Sequence, residues 1–149
     1  MRNLFYINHF DIAFNLFTSF GYFESRNDNN KAMRTFASTL RAGGRLVLDF
    51  MNTQKIINSL VIKETKVSEG IEFHINRKVE NGFIVKEITF TDHDKSFAFK
   101  EEVQALSKAD FEAYFAKNGF EVERVFGDYE LNAFDAAHSD RLIFVCRKA

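Results

Sequence analysis

Three charged side chains, Arg77, Lys86 and Glu101, give the sequence its clearest suggestion of chemistry. Ile71, Phe73, Ile75 and Val79 alternate with Glu72, His74, Asn76 and Lys78, the period of a strand with one apolar face. Asn81-Gly82 then supplies the pair that a two-residue type I′ hairpin turn favours. Pairing about it sets Val79 against Ile84, Ile75 against Ile88, Phe73 against Phe90 and Arg77 against Lys86. A looser turn over 91–96 brings back a third strand over 97–106, with Phe99 opposite Ile88, Val103 opposite Ile84 and Glu101 opposite Lys86. All three charges then share the apolar face. Charges there need partners, and two cations beside one carboxylate leave one positive charge over. Such a row binds an anion, for instance a substrate carboxylate, or it is a structural ion row on a face that is not fully buried.

Other groups offer less. Asp92-His93-Asp94 holds three metal-ligating types, but adjacent residues in one turn converge poorly on an ion, and hairpin turns favour Asp in any case. His9, His74 and His138 are isolated, and nothing pairs them with Cys146 or a serine as a nucleophile requires. Asn15, Asp49 and Asn52 stand at the ends of apolar runs, where a polar side chain lines a crevice or caps the next element. Asp128, Tyr129 and Arg141 flank later runs and carry the same two readings.

The elements that must position these groups follow from the hydrophobic pattern. Residues 10–17 form a nearly continuous apolar run, suited to a strand covered on both faces. After a polar loop, Asp28 is the expected N-cap of a helix with Ala32, Met33, Phe36, Ala37 and Leu40 on its apolar face. Gly43-Gly44 is its expected stop, and 46–50 the next buried strand. Strand, helix, strand is by default a right-handed crossover. A short helix is expected over 53–60. Ser107-x-x-Asp110 opens another, with Phe111, Tyr114 and Phe115 inward and Asn118-Gly119 at its end. Strands at 120–126 and 142–146, separated by a loop over 132–140, complete an α/β chain whose four apolar runs are expected to share one sheet.

Bulk composition narrows the class. The 149 residues fit one domain, and 46% hydrophobic with 28% charged residues is an ordinary globular balance. A net charge of −1 gives no reason to expect a nucleic-acid or anionic-membrane partner. One cysteine excludes an internal disulfide and fits a reducing compartment, expected to be cytoplasmic. The sequence offers no apolar run of membrane-spanning length and no signal-peptide pattern. The 19 phenylalanines supply much of the core.

The ordered set F-D-x-x-x-N-L at Phe10–Leu16, L-x-x-G-G-x-L-V-L-D at Leu40–Asp49, G-F-E-V at Gly119–Val122 and R-L-I-F-V at Arg141–Val145 resembles the fourth to seventh strands of class I S-adenosylmethionine-dependent methyltransferases. The antiparallel insert, about 61–106, resembles the cap that small-molecule members carry after the fifth strand. The resemblance implies a partial Rossmann-like methyltransferase sheet with a three-strand antiparallel insert, S-adenosylmethionine as cofactor and a small-molecule methyl acceptor. It sets Asn15, Leu16 and Phe17 beside the cofactor, and Ser19, Tyr22, Asn52, Arg77, Tyr129 and Arg141 towards the acceptor.

The family's glycine-rich loop after its first strand, and the acidic end of its second, have no counterpart here. Met1-Arg2 resembles the end of the stretch that precedes F-D. The expectation is therefore an N-terminally truncated domain lacking two βαβ units, on the order of 60 residues. Ligands of open α/β sheets sit at the switch point between two strands, here the first and fourth of the family. One wall is kept, so weak cofactor binding by this chain is expected. The 10–17 strand should form an open apolar edge and drive homo-oligomerisation, unless Leu4, Phe5, Tyr6 and Ile7 fold back over it. A non-catalytic, self-associating module is the alternative.

Overall fold

The computed structural model describes residues 6–149. The expectations placed on Met1, Arg2, Leu4 and Phe5 lie outside the described residues. Among the described residues three helices, α1 (Arg26–Thr39), α2 (Thr53–Asn58) and α3 (Lys108–Lys117), accompany eight strands. A main sheet has the order β1 (Phe10–Asn15), β2 (Leu40–Met51), β8 (Arg141–Lys148), β7 (Phe120–Phe126). β1 runs parallel to β2, and the other pairs are antiparallel. The four apolar runs therefore share one sheet, as their pattern requires.

Alternation along β2 and β8 sends Leu46, Leu48, Phe50, Leu142, Phe144 and Cys146 to one face, each at most 2% exposed. Ala32, Met33 and Ala37 of α1 and Phe111, Tyr114 and Phe115 of α3 close over them. Among the described residues the opposite face has no such cover over β1. There Phe10, Ile12 and Phe14 are 40%, 45% and 58% exposed, and among the described residues β1 pairs only with β2. Asn8 and His9 donate their amides to Ser38 and Thr39 at 2.9 Å, while Tyr6 and Ile7 stay exposed. The rings of Tyr6 and His9 pack on Phe10, 5.5 and 4.9 Å away, and leave Ile12 and Phe14 exposed.

Ser25, not Asp28, caps α1: its hydroxyl accepts the Asp28 amide at 3.1 Å, and Asp28 sits one turn in. The serine wins because it precedes the first helical residue, where only a side-chain oxygen can meet the unpaired amides. The helix ends at Thr39, and Leu40 is already extended. Gly43-Gly44 therefore act inside β2, where the ladder jumps from Phe10–Leu40 to Ile12–Arg45. A β-carbon on Gly44 would stand 2.9 Å from the Arg41 carbonyl and 3.2 Å from those of Phe10 and Asp11. Only glycine lets the two chains meet that closely. The capping box of α3 is complete, with Ser107 and Asp110 each bonding the other's backbone amide.

The insert is a second antiparallel sheet, in order β3 (Lys63–Ser68), β4 (Ile71–Glu80), β5 (Phe83–Asp92), β6 (Lys95–Gln104). It has four strands rather than three. β3, K-E-T-K-V-S, has no apolar alternation and five of its six residues are exposed, so no periodicity announces it. The expected register holds throughout: Val79 faces Ile84, Ile75 faces Ile88, Arg77 faces Lys86, and Lys86 faces Glu101. His93 and Asp94 make the two-residue turn of the second hairpin, both at positive φ. Phe90 packs against Phe73, Phe97 and Phe99, with ring centroids 4.8, 5.0 and 6.0 Å away, on a face where Phe99 remains 57% exposed.

The insert is held at its base. The amides of Gln104 and Ala105 donate to Gly21 and Gly82, each at 2.8 Å. The buried Gln104 side chain accepts from Asn29 of α1 at 2.9 Å and donates to the Phe23 carbonyl at 2.6 Å. Phe111 touches Phe20, Phe50 and Phe144, with centroids 5.6, 5.0 and 5.4 Å away, and joins both helices' layer to the sheet. Phe111→Ala should lower the unfolding free energy by about 3–5 kcal/mol. Urea denaturation checks this, and a loss below about 1 kcal/mol would remove Phe111 from the centre of the core.

Candidate functional site

The crevice lies at the carboxyl ends of β1 and β2, where β1 stops at Asn15 and the chain turns sharply. Phe17 and Thr18 both have positive φ, 57° and 58°. Neither is glycine, and such backbone costs of order 1–3 kcal/mol per residue, so something must hold it. The holder is Asp49, two residues before the end of β2 and 1% exposed. One carboxylate oxygen accepts the Phe17 amide at 2.8 Å and the Tyr129 hydroxyl at 3.0 Å. The other accepts Arg141 Nε at 2.8 Å. The Asp49 carbonyl takes the Thr18 amide at 3.2 Å, and Arg141 Nη2 reaches the Thr18 hydroxyl at 3.0 Å. Four segments of the chain thus meet on one carboxylate.

The sequence-derived residues divide on this geometry. Asn15 is buried, while Leu16 and Phe17 are 36% and 76% exposed, Phe17 projecting from the tip. The Ser19 hydroxyl turns back on the Leu16 carbonyl. Tyr22 is half exposed beside the tip loop. Burial, then the charge of Glu101, raises its phenol pKa. Burial, then the bond to Asp49, raises that of Tyr129. Neither phenol is thus a ready base near neutrality. Tyr129 and Arg141 do reach the crevice, but their polar ends are engaged with Asp49, and Arg141 lies 5.7 Å from the Tyr129 ring centre.

Two of the expected site residues have protein partners away from the tip. Asn52 is 3% exposed and its amide donates to the carbonyls of Ala136 and Ser139 at 3.0 and 2.8 Å, so it ties down the 132–140 loop. Arg77 is paired outside the expected three-residue row: Glu64 of β3 meets its guanidinium at 2.8 Å. That bond, then one from Lys66, lowers the Glu64 pKa. Lys66 meets the same carboxylate at 3.1 Å, and Lys86 stands 3.5 Å from Glu101, so three cations share two carboxylates on this face. The missing carboxylate lay on the strand that lacked a pattern. Cys146 is buried, and burial, then Glu123, pushes its thiol up to about 12, which leaves no thiolate for catalysis. Asp49 was legible only as a crevice or capping residue; its central place depends on Thr18 and Tyr129 arriving from distant segments.

No protein-family model matches the sequence, and no curated protein does. Solved structures do match. An S-adenosylmethionine-dependent methyltransferase from Clostridium acetobutylicum superposes with a TM-score of 0.84 at 18% identity, over 99% of this chain and 62% of that one. The CcbJ methyltransferase from Streptomyces caelestis gives 0.80 at 16% identity, over 95% and 62%. CalS10 from Micromonospora echinaspora, an amino pentose methyltransferase solved with S-adenosylmethionine bound, gives 0.69 at 17% identity, over 99% and 61%. The chain has the class I methyltransferase fold, and it spans about three fifths of the length of these structures.

Arg141→Ala leaves the buried Asp49 without its cation and should cost about 3 kcal/mol in chemical denaturation. Arg45→Ala, at the exposed pair with Glu123, should leave the midpoint nearly unchanged. Equal, small effects of the two substitutions would show that Asp49 needs no cation.

Proposed function

We propose that the crevice at the tips of β1 and β2 serves S-adenosylmethionine-dependent methyl transfer to a small-molecule acceptor. The observation that carries this reading is the exposed, left-handed tip at Phe17–Thr18, placed where open α/β sheets bind ligands, on a fold shared with methyltransferases. Asn15, Leu16 and Phe17 would contact the cofactor; Ser19, Tyr22, Tyr129 and Arg141 border the side from which an acceptor would enter. When bound, the cofactor supplies an electrophilic methyl group on a sulfonium. The protein's task is then mostly positioning, with proton removal needed only if the acceptor atom carries one. The described residues fit only part of that cofactor. They give an apolar surface at Leu16 and Phe17, but the one buried carboxylate at the tip is already met by three donors and is not free for ribose hydroxyls.

Binding by this chain is therefore expected to be weak, with a dissociation constant above about 10 μM. Titration calorimetry with S-adenosylmethionine checks this, and a low-micromolar value would overturn it. At millimolar cofactor, amide shift changes should centre on residues 15–19. No change anywhere would sink the methyl-transfer reading.

A second reading, a self-associating module, is favoured by the open edge of β1 and its uncovered face. An edge strand without proline or lysine is a template for another strand, and Phe10, Ile12 and Phe14 would add apolar area. Sedimentation should show a homodimer or higher oligomer that Phe14→Lys dissociates. A chain that stays monomeric at high concentration would rule the association out.

A further inference from the structure

We infer that Asp49 is a positioning residue for the ligand-facing tip: it selects the left-handed backbone of Phe17 and Thr18, and so decides where Phe17 projects. This rests on the crevice being the ligand site. The Ser19 amide and hydroxyl close the turn on the Leu16 carbonyl, the amide at 3.3 Å, but a turn of either hand makes that bond. An ordinary residue at positive φ prefers to relax, and two in succession relax more readily. Here both amides are claimed by one residue, the Phe17 amide by the Asp49 carboxylate and the Thr18 amide by its carbonyl. The carboxylate is held in place by Arg141, whose second nitrogen also grips the Thr18 hydroxyl. Tyr129 closes the outer side of the same oxygen that holds Phe17.

The arrangement is economical in register. β2 sends Leu48 and Phe50 into the core and Asp49, between them, to the opposite face. The core thus pins the carboxylate without touching it. The next residue of that face, Met51, is paired with Arg141 in the β2–β8 ladder, which sets the guanidinium within reach. Because Tyr129 is 60% exposed, its hydroxyl is the one donor that an arriving ligand could displace. Displacement would leave the Phe17 amide and Arg141 on Asp49, with the oxygen that Phe17 shares with Tyr129 held less firmly.

The test compares Asp49→Asn with the parent chain, free of cofactor. Asparagine keeps the shape but loses the charge that Arg141 needs, and its amide nitrogen must oppose a donor. Three-bond amide–α-proton couplings and α-carbon shifts report φ at Phe17 and Thr18, and hydrogen exchange reports their amides. The expected result is loss of left-handed signatures at these two residues and at least about tenfold faster exchange there, with Leu48 and Phe144 protected as before. Adding Thr18→Gly to Asp49→Asn should restore the turn, since glycine takes positive φ without strain. Unchanged couplings at the tip would overturn the inference. So would acceleration spread evenly over the chain, which marks a merely stabilising role. If Asp49→Asn does not fold, Tyr129→Phe, which removes one exposed donor, should speed Phe17 exchange selectively, and no change there would equally count against it. None of these readouts requires a methyl group or a bound cofactor, so a failed cofactor titration and a failed clasp are separate results.

Discussion

The antiparallel ladder between β2 and β8 is the constraint on which the rest of the chain hangs. Its cross-strand pairs Leu46–Cys146, Leu48–Phe144 and Phe50–Leu142 all point to one side and are essentially dry. Behind them Phe111 and Phe115 lie within 5.0–5.4 Å, centre to centre, of the rings of Phe50 and Phe144. Aromatic burial of this kind contributes more per residue than any other packing, and it fixes parity. A slip of one residue would turn the rings to the outside and drive Asp49 into them. Core and crevice are therefore one decision: the register that buries Phe50 also brings the carboxylate to the opposite face.

That opposite face explains the uneven character of the molecule. Two helices and the loop carrying Phe20 cover one side of the main sheet, while β1 shows its apolar side chains on the other. Parallel strands normally reside between two layers. The insert is also one-sided. It leaves the core at Val103 and Leu106, keeps a buried polar joint through Gln104, Asn29 and the Phe23 carbonyl, and then extends with its ring cluster half in solvent. Gly21 is the point where the two layers touch. Its φ of +87° suits glycine, and a β-carbon there would press at 3.3 Å on both Phe50 and Val103.

How much could be read in the sequence follows the strength of local patterns. Strict alternation and one Asn-Gly turn were enough for the register of β4, β5 and β6, because only one pairing keeps every apolar residue on one face. The order of apolar runs gave the main sheet. β3 was invisible, since Lys63, Glu64, Thr65 and Lys66 carry no apolar alternation. With it went Glu64 and Lys66, and so the full set of charges around Arg77. In the crevice, Tyr129 and Arg141 were legible as strand-end polar groups, but not their attachment to Asp49. That contact joins residues 80 and 92 positions apart, which no local period encodes. The partners of Asn52 were hidden for the same reason: they lie 84 and 87 residues away.

Cys146 gives the molecule a built-in clock. It is the single thiol, it sits fully shielded in the interior strand β8 opposite Leu46, and its proton is held far more tightly than in water. A small alkylating reagent can reach that sulfur only when the core that α1 and α3 close over it opens, or when its strand leaves the sheet. Fraying of the insert's far end or of the crevice loop leaves it hidden. The rate of modification then records the opening of the core, with no label added and no residue changed.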